Sequence, residues 1–481
     1  MTPVRAQPWF EPRDSRLIGA ACALVCAVVV GPVFWFAHFA PLFAAALLTA
    51  GVMLFSVRRS LVVLLVATAV IPGPVLEFLR IPLGFKLTEV LLIATLMFLA
   101  IDVVWARRLR VTTTAVDGLA AAFLAVALLS ALIGVYYGNH DRGYILVNLR
   151  YPLYYVAFFA ATQAFSPRDG ARLIAPILML VGPVVGVTYI FEFLGAIDLS
   201  TGKRFFRVLG PQGVVLPVAM LVIANLLIHD PRRFGRLLPA LAFLPTGLAF
   251  VLTVGRGMWV AFAVGLATTL WIRHRSRPRG ARQAWGAAVL AAAVVSVLLA
   301  SVLVFQRFTG AAVSAHALER SRTFVDVSRD VQVLGRLMGY SEVLQAIAER
   351  PILGSGQGRI LQFYGFDPEE GRFETWEAWT VDSLFLTLWL KMGLPGLILF
   401  ALLYLKLLRI SWGQSHHASP PDRRAFAAGA FSVLVAMGVL GISDGSMING
   451  RLAVLFAILF AAVARDATDP SPETDQRIAS S

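Results

Sequence analysis

The sequence predicts an all-α, polytopic integral membrane protein, and three observations carry that prediction. Of 481 residues, 58% are hydrophobic and only 15% charged, where a soluble domain carries about a quarter charged residues; the mean hydropathy is +0.75. The apolar residues come in long uncharged blocks, such as 214–228, in which Asn225 is the only strongly polar side chain. The basic residues fall mostly in short clusters between those blocks, as membrane topology requires.

A bilayer core about 30 Å thick needs roughly 20 mostly apolar residues per spanning helix. On that measure the first spans run near 17–37, 39–57, 61–76, 87–105, 115–137, 151–165 and 173–194. The rest lie near 214–228, 237–254, 258–272, 285–305, 384–408, 426–442 and 452–464. The expectation is about 12–14 transmembrane helices. The segment 17–37 reads as a span and not a cleavable signal peptide, because further apolar blocks follow it.

The positive-inside rule orients the spans with both ends of the chain in the cytoplasm. Arg58-Arg59, Arg107 to Arg110, Arg168 to Arg172, Arg232 to Arg236, Arg273 to Arg282, Lys406 to Arg424 and the tail from Arg465 then share one side. The chain divides into a cytoplasmic segment 1–16, a transmembrane region 17–305, a large outer loop 306–381, C-terminal transmembrane helices 382–465 and a polar tail 466–481 of disordered composition. In the loop, Val331, Leu334, Leu337, Met338, Val343, Leu344 and Ile347 have helical spacing, and Pro351 with Gly354 would end that helix. Phe363, Tyr364, Phe366, Trp376 and Trp379 favour an ordered loop. A loop this long in a compact protein is usually functional or disordered.

The net charge of +14 does not point to nucleic acid, because it is distributed as topology signals. Cys22 and Cys26 lie on one face of one helix, a geometry unsuited to a structural disulfide, and read as small apolar side chains. There is no Gly-Lys-Ser/Thr phosphate loop, His-Glu-x-x-His or metal-spaced cysteine pair. These absences count against a cytoplasmic nucleotide enzyme.

What remains are charges where a membrane makes charge costly. Arg256, in Gly255-Arg256-Gly257-Met258-Trp259, sits between two spans with almost no loop. An arginine near a helix centre costs about 2.5–3.5 kcal/mol on insertion scales, less near an end. It reads as an anion-binding arginine at the outer boundary; the alternative is a tight turn with a snorkelling side chain. Arg207, with Lys203 and Arg204 nearby, puts positive charge on the outer side, where an anionic partner is called for. Guanidinium suits phosphate because it binds bidentately and stays charged; lipid-headgroup anchoring is the competing explanation for Lys203 and Arg204. Arg150 opens a span from the same side. Asp382 closes the long loop and opens a span, which fits a helix N-cap or a general base facing the outer leaflet. Asp444 reads first as a turn former. The acidic group Asp367, Glu369 and Glu370 reads as a solvated face, and His140, His316 and His416-His417 make no metal site.

Several patches between about Arg204 and Phe400 resemble the O-antigen ligase and O-antigen or exopolysaccharide polymerase family. Gly255-Arg256-Gly257 is similar to the family's Ser-Arg-Gly turn, and Arg207 with Gly210-Pro211 to its Arg…Gly loop. Arg336 to Glu349 with Pro351-Ile352-Leu353-Gly354-Ser355-Gly356 looks like its periplasmic helix and Pro-Leu-x-Gly-x-Gly segment. Asp382-Ser383-Leu384-Phe385-Leu386 with Met392-Gly393-Leu394-Pro395-Gly396 resembles its His-Asn-x-x-Leu…Gly-Leu-x-Gly stretch.

The resemblance implies a multi-pass bacterial inner-membrane glycosyltransferase with one large periplasmic loop containing helices. It would join undecaprenyl-pyrophosphate-linked oligosaccharide to a glycan acceptor at the periplasmic face. Its catalytic residues would be Asp382, Arg256 and Arg207, with Arg150, Arg204 and Arg336 in substrate binding. The arginines would stabilise the leaving pyrophosphate. Asp382 stands where the family keeps histidine; a carboxylate can still serve as base in an inverting transfer, and the departure points to an exopolysaccharide or O-antigen polymerase over a lipid A–core ligase. No metal or nucleotide cofactor is implied. Membrane lipid and other polysaccharide-assembly proteins are the further partners. The alternatives are an O-antigen ligase of the same family, or a polysaccharide transporter or lipid-linked glycan flippase, which would need charges at mid-span.

Overall fold

A computed structural model describes residues 56–71, 86–105, 112–138, 142–194, 203–204, 207–208, 211–230, 234–235, 237–253, 255–275, 303, 306–307, 331–367, 372–378, 381–418, 421–448, 450 and 452–468. The spans expected at 17–37, 39–57 and 285–305, both cysteines, His140, His316, Glu369, Glu370 and Trp379 lie outside the described residues, apart from the ends of two of those spans.

The first elements are α1 (Val57–Val70), α2 (Leu87–Ala100, continued by a π turn Ile101–Trp105), α3 (Asp117–Tyr136), α4 (Arg142–Leu153), α5 (Val156–Ala164) and α6 (Ala175–Phe193). A short hairpin, β1 (Lys203–Arg204) and β2 (Arg207–Val208), leads through a 3-10 turn Pro211–Val214 into α7 (Val215–His229). Next come α8 (Leu237–Leu252), α9 (Arg256–Arg275) and the loop helix α10 (Val331–Glu349). A second hairpin, β3 (Leu361–Asp367) and β4 (Arg372–Ala378), precedes α11 (Leu384–His417), α12 (Pro421–Leu440) and α13 (Leu452–Asp466). Leu87–Val104, Asp117–Tyr136, Gly170–Phe193, Leu384–His416 and Pro421–Leu440 are long and apolar enough to cross a membrane. The chain is a helical, multi-pass membrane protein.

With two exceptions, the described spans follow the apolar pattern that predicts them. In α3 the buried residues are Ala120, Phe123, Ala127, Ser130 and Gly134, a heptad stripe of mainly small side chains. Such a stripe lets backbones approach closely, and α3 packs against α11. Its other face, with Leu128, Leu129, Leu132 and Val135, stays exposed as a lipid face would. By contrast, every residue from Leu452 to Ala464 of α13 is buried. A helix apolar all round belongs at the centre of the bundle. Inside the apolar interior, Asn225 Nδ2 donates to Thr269 Oγ1 at 2.9 Å, and Thr269 Oγ1 lies 2.9 Å from Ser432 Oγ, tying α7, α9 and α12 together.

Two spans differ from their expected form. The segment expected at 151–165 is broken at Tyr154–Tyr155, between α4 and α5. Pro152 inside α4 lacks the N–H that a continuous helix uses; Tyr154 N is shared between the Arg150 and Tyr151 carbonyls, and Tyr155 N donates to the Pro152 carbonyl at 3.1 Å. The last long span runs on to His417 but is kinked at Gly393, whose φ is 66°. In the loop, α10 forms where helical spacing placed it, but Leu337, Met338 and Leu344 are exposed. Val343, Ala346 and Ile347 are the face that packs, on Leu361, Val381 and Leu390. The β3–β4 hairpin was not anticipated; it pairs Leu361 with Ala378 and Phe363 with Trp376.

The ionic contacts sort by end of the bundle. Arg58 pairs with Asp169, Arg172 with Asp422 at 3.8 Å, and Arg423 with Asp466 at 2.8 Å; Arg465 Nε donates to the Phe165 carbonyl at 2.9 Å. All these groups belong to the side with the dense basic clusters. At the opposite end, Arg150 pairs with Glu89 at 3.0 Å and Arg336 with Asp382 at 3.0 Å.

Candidate functional site

The opposite end gathers several of the singled-out residues around the start of α11. Ser383, not Asp382, caps that helix: its backbone is extended and its hydroxyl accepts from Leu386 N at 3.4 Å. The capping role considered for Asp382 is thus taken by its neighbour, and the Asp382 carboxylate is left to Arg336, whose Nε donates to Oδ2 at 3.0 Å. Tyr340, a turn further along α10, donates from its hydroxyl to the Asp382 carbonyl at 2.7 Å and lies 3.4 Å from the Ile442 carbonyl. Burial raises the Tyr340 phenol above its ordinary value, and the negative charges of Asp382 and Asp444 add to this while Arg336 opposes it. Tyr340 therefore stays a donor through the neutral range.

The turn after α12 closes the other side. Leu384 N donates to the Gly441 carbonyl at 2.8 Å, binding the start of α11 to that turn. Asp444 accepts from Ser446 N at 2.6 Å, the Asx-turn that sequence suggested. Yet Asp444 also lies within electrostatic reach of Asp382 and Arg336. Burial raises its carboxyl above the usual range; Asp382 pushes the same way, and the Ser446 hydrogen bonds and Arg336 push back. Turn propensity hid this residue, because its neighbours come from helices distant in sequence.

Arg256 is the first residue of α9 and is partly exposed. A Cβ on Gly257 would lie 3.0 Å from Ser443 Oγ and 3.5 Å from Leu440 Cδ1, so the head of α9 rests directly on the Asp444 turn. Glycine there is what allows the approach. A Cβ on Gly213 would meet Tyr189 Oη at 3.4 Å and Met258 Cε at 3.6 Å. The 3-10 turn after β2 thereby abuts the first turn of α9. In the β1–β2 hairpin Arg204 stands opposite Arg207, and β2 packs along α6.

Arg150 is drawn into a different cluster. Besides the Arg150 contact, Glu89 Oε1 accepts from the Tyr154 hydroxyl at 3.1 Å, and Glu89 Oε2 accepts from Lys86 N at 2.9 Å. This knot joins α2 to α4 near the same end of the bundle.

A further charged group had passed unremarked within an apolar span. Lys391 of α11 is 4% exposed and donates to Asn148 Oδ1 of α4. Beside it the chain segment 354–358 is wedged between helices. Ser355 N donates to the Leu390 carbonyl at 2.7 Å, Gln357 N to the Ser130 carbonyl at 2.9 Å, and Gln357 Nε2 to Ser130 Oγ at 2.9 Å. Gly356 has a φ of 78°, and a Cβ there would lie 2.4 Å from Gly134 N. Only glycine accepts both the conformation and the contact.

Arg256, Arg336, Asp382 and Lys391 all lie in residues 241–401, which match the family model described as O-Antigen ligase. That match supports membership of the family. No curated protein matches the chain.

Proposed function

Starting from the O-antigen ligase domain in residues 241–401, we propose that this protein is a metal-independent inverting glycosyltransferase. It joins undecaprenyl-pyrophosphate-linked glycans at the periplasmic face of the bacterial inner membrane, as an exopolysaccharide or O-antigen polymerase. The match of residues 241–401 to the O-antigen ligase family model supports a membrane enzyme of the O-antigen ligase and polymerase type.

The observation that carries the reading is the meeting of Asp382, Arg336, Tyr340 and Asp444 with the head of α9, where Arg256 begins the helix. In this reading the Asp382 carboxylate takes the proton of an acceptor hydroxyl. The acceptor oxygen bonds to the anomeric carbon of the donor as the bond from that carbon to the phosphate oxygen breaks. The polyprenyl pyrophosphate leaves with its charge stabilised by Arg256 and Arg207. Arg336 and Tyr340 orient Asp382 from its carboxylate and its carbonyl. Arg204 stands beside Arg207 as a second cation for the anionic donor, and Arg150 contacts substrate only if its pair with Glu89 opens.

The test replaces Arg256 or Asp382 by alanine, verifies normal membrane abundance and measures polymer length. Loss of long polymer in both is expected; unchanged polymer together with unchanged acceptor capping in both would remove the site assignment. A second reading, ligation of finished glycan to a lipid acceptor, is favoured equally by the family description. It predicts that the same variants leave chain length unchanged while capped acceptor disappears.

A further inference from the structure

We propose that the strap 350–354, which links α10 to the wedged segment 354–358, is a docking site for an anionic phospholipid. Arg350 takes the headgroup phosphate, and Ile352 and Leu353 lie among the acyl chains. The strap is distinct from the Asp382 cluster, and the proposal does not rest on the glycan chemistry.

The strap crosses between two spans. Leu394 N of α11 donates to the Ile352 carbonyl at 3.1 Å, and a Cβ on Gly393 would lie 2.1 Å from that oxygen. On its other side Arg350 Cζ lies 3.6 Å from the centroid of the Tyr137 ring, just beyond the end of α3. Gly354 and Gly393 have positive φ, 73° and 66°, and a Cβ on Gly354 would lie 2.5 Å from Gly393 N. Backbone therefore rests on backbone, and the strap is held in place before any ligand arrives.

Its height follows from helix length. α3 has 20 residues, about 30 Å at 1.5 Å per residue, which is the thickness of a bilayer core. Lys406, from the basic end of the bundle, donates to the Ala115 carbonyl two residues before α3 begins. Tyr137 and the strap thus lie one bilayer thickness away, at the headgroup level of the opposite leaflet.

Two observations point to lipid as the occupant. The first is apolar exposure. Ile352 and Leu353 are 65% and 53% exposed, and they continue the exposed row Leu394, Ile398, Leu402 and Leu405 along α11. Tyr136, 85% exposed, ends the exposed face of α3, and tyrosines at this level mark the membrane–water interface. A purely aqueous partner, such as an acidic glycan, would leave these apolar side chains in water. The second observation is the charge. Arg350 is partly exposed, and among the described residues no carboxylate pairs with it, the adjacent Glu349 included. The Tyr137 ring holds the cation without taking a hydrogen bond from it. Its N–H fork is left for a phosphate, which guanidinium binds bidentately. An anionic headgroup carries no ammonium to compete with Arg350 for that phosphate.

The experiment uses the full-length protein purified in detergent. Retention of phosphatidylglycerol and of zwitterionic phosphatidylethanolamine is compared by native mass spectrometry. The parent should hold phosphatidylglycerol more tightly. Arg350→Gln should weaken that binding about fivefold, the scale of one basic residue at an anionic surface, and Arg350→Lys should restore part of it. Equal binding of the two lipids by the parent, or unchanged phosphatidylglycerol binding in Arg350→Gln, would overturn the proposal and leave Arg350 as a brace on Tyr137. A second measurement does not depend on Arg350. With Cys22 and Cys26 replaced by alanine, Leu353→Cys carries a bimane label in phosphatidylglycerol vesicles. Nitroxides on the acyl chains should quench the label, and aqueous iodide should not. The reverse pattern, or protection from both quenchers by a second copy of the chain, would also overturn the proposal. Glycan joining is assayed separately, so the outcome for the Arg256 and Asp382 variants is independent of this one.

Discussion

Arg336 Nε and Asp382 Oδ2 are 3.0 Å apart with side chains 47% and 63% exposed, so the pair is worth little as a structural brace. Exposed ion pairs contribute about 0–1 kcal/mol. Arg336→Gln should therefore leave thermal stability nearly unchanged while lowering transfer activity tenfold or more, if the arginine orients a working carboxylate. Thermal melts of the detergent-purified variant beside a polymer-length assay separate these effects. A large fall in melting temperature with activity per folded molecule intact would assign Arg336 to structure.

Asp444 makes a pH prediction. Its carboxyl is raised in the folded protein, chiefly by burial, so folding favours the protonated form. That contribution is present below the unfolded carboxyl value and is lost as pH rises through the folded one. Asp444→Asn keeps an oxygen to accept from Ser446 N and removes the charge. The variant should gain stability relative to the parent at neutral pH, with the gain vanishing in acid. Melting temperatures from pH 4 to pH 8 are the measurement, and a gain that grew toward acid would contradict the sign.

Ser383→Ala tests which residue caps α11. The hydroxyl contact to Leu386 N is long at 3.4 Å, so the cost should fall at the low end of cap removals, about 0.5–1 kcal/mol. Asp382→Asn should be closer to neutral for stability, since Asp382 does not cap. Denaturation midpoints of the two variants decide it; a larger loss for Asp382→Asn would return the cap to Asp382.

Gly356→Ala and Gly235→Ala form a controlled pair. Both glycines have positive φ, 78° and 66°, but a Cβ at Gly235 meets nothing within 4 Å while one at Gly356 lies 2.4 Å from Gly134 N. Backbone strain alone costs more than about 0.4–1 kcal/mol where φ is positive. Gly356→Ala should exceed that and lower the yield of folded protein, whereas Gly235→Ala should stay near it. Folded yield by size-exclusion chromatography and thermal melts compare them.

The spans could be recognised in the chain because transfer into a bilayer is a sum over neighbouring residues. The blocks near 87–105, 115–137 and 173–194 appear as helices almost where hydropathy put them. The site was only partly visible. Arg256 and Asp382 stood out because their charges interrupt apolar runs. Asp444 looked like an ordinary turn residue, and Lys391 disappeared into the average of a long apolar block. Tyr340 carried no signal, because its value lies in reaching a carbonyl 42 residues away.

Hydropathy decided the membrane class, and the motif resemblance pointed to the family. These properties are local, so a linear reading suffices. Packing alone decided that Arg336 meets Asp382 across 46 residues, that Gln357 reaches Ser130 across 227, and that Lys391 is held by Asn148 across 243. Those pairings depend on which helix faces lie together, and on glycines that let backbones touch. Both are properties of the assembled bundle, where short-range contacts replace the sequence-averaged preference for lipid or water.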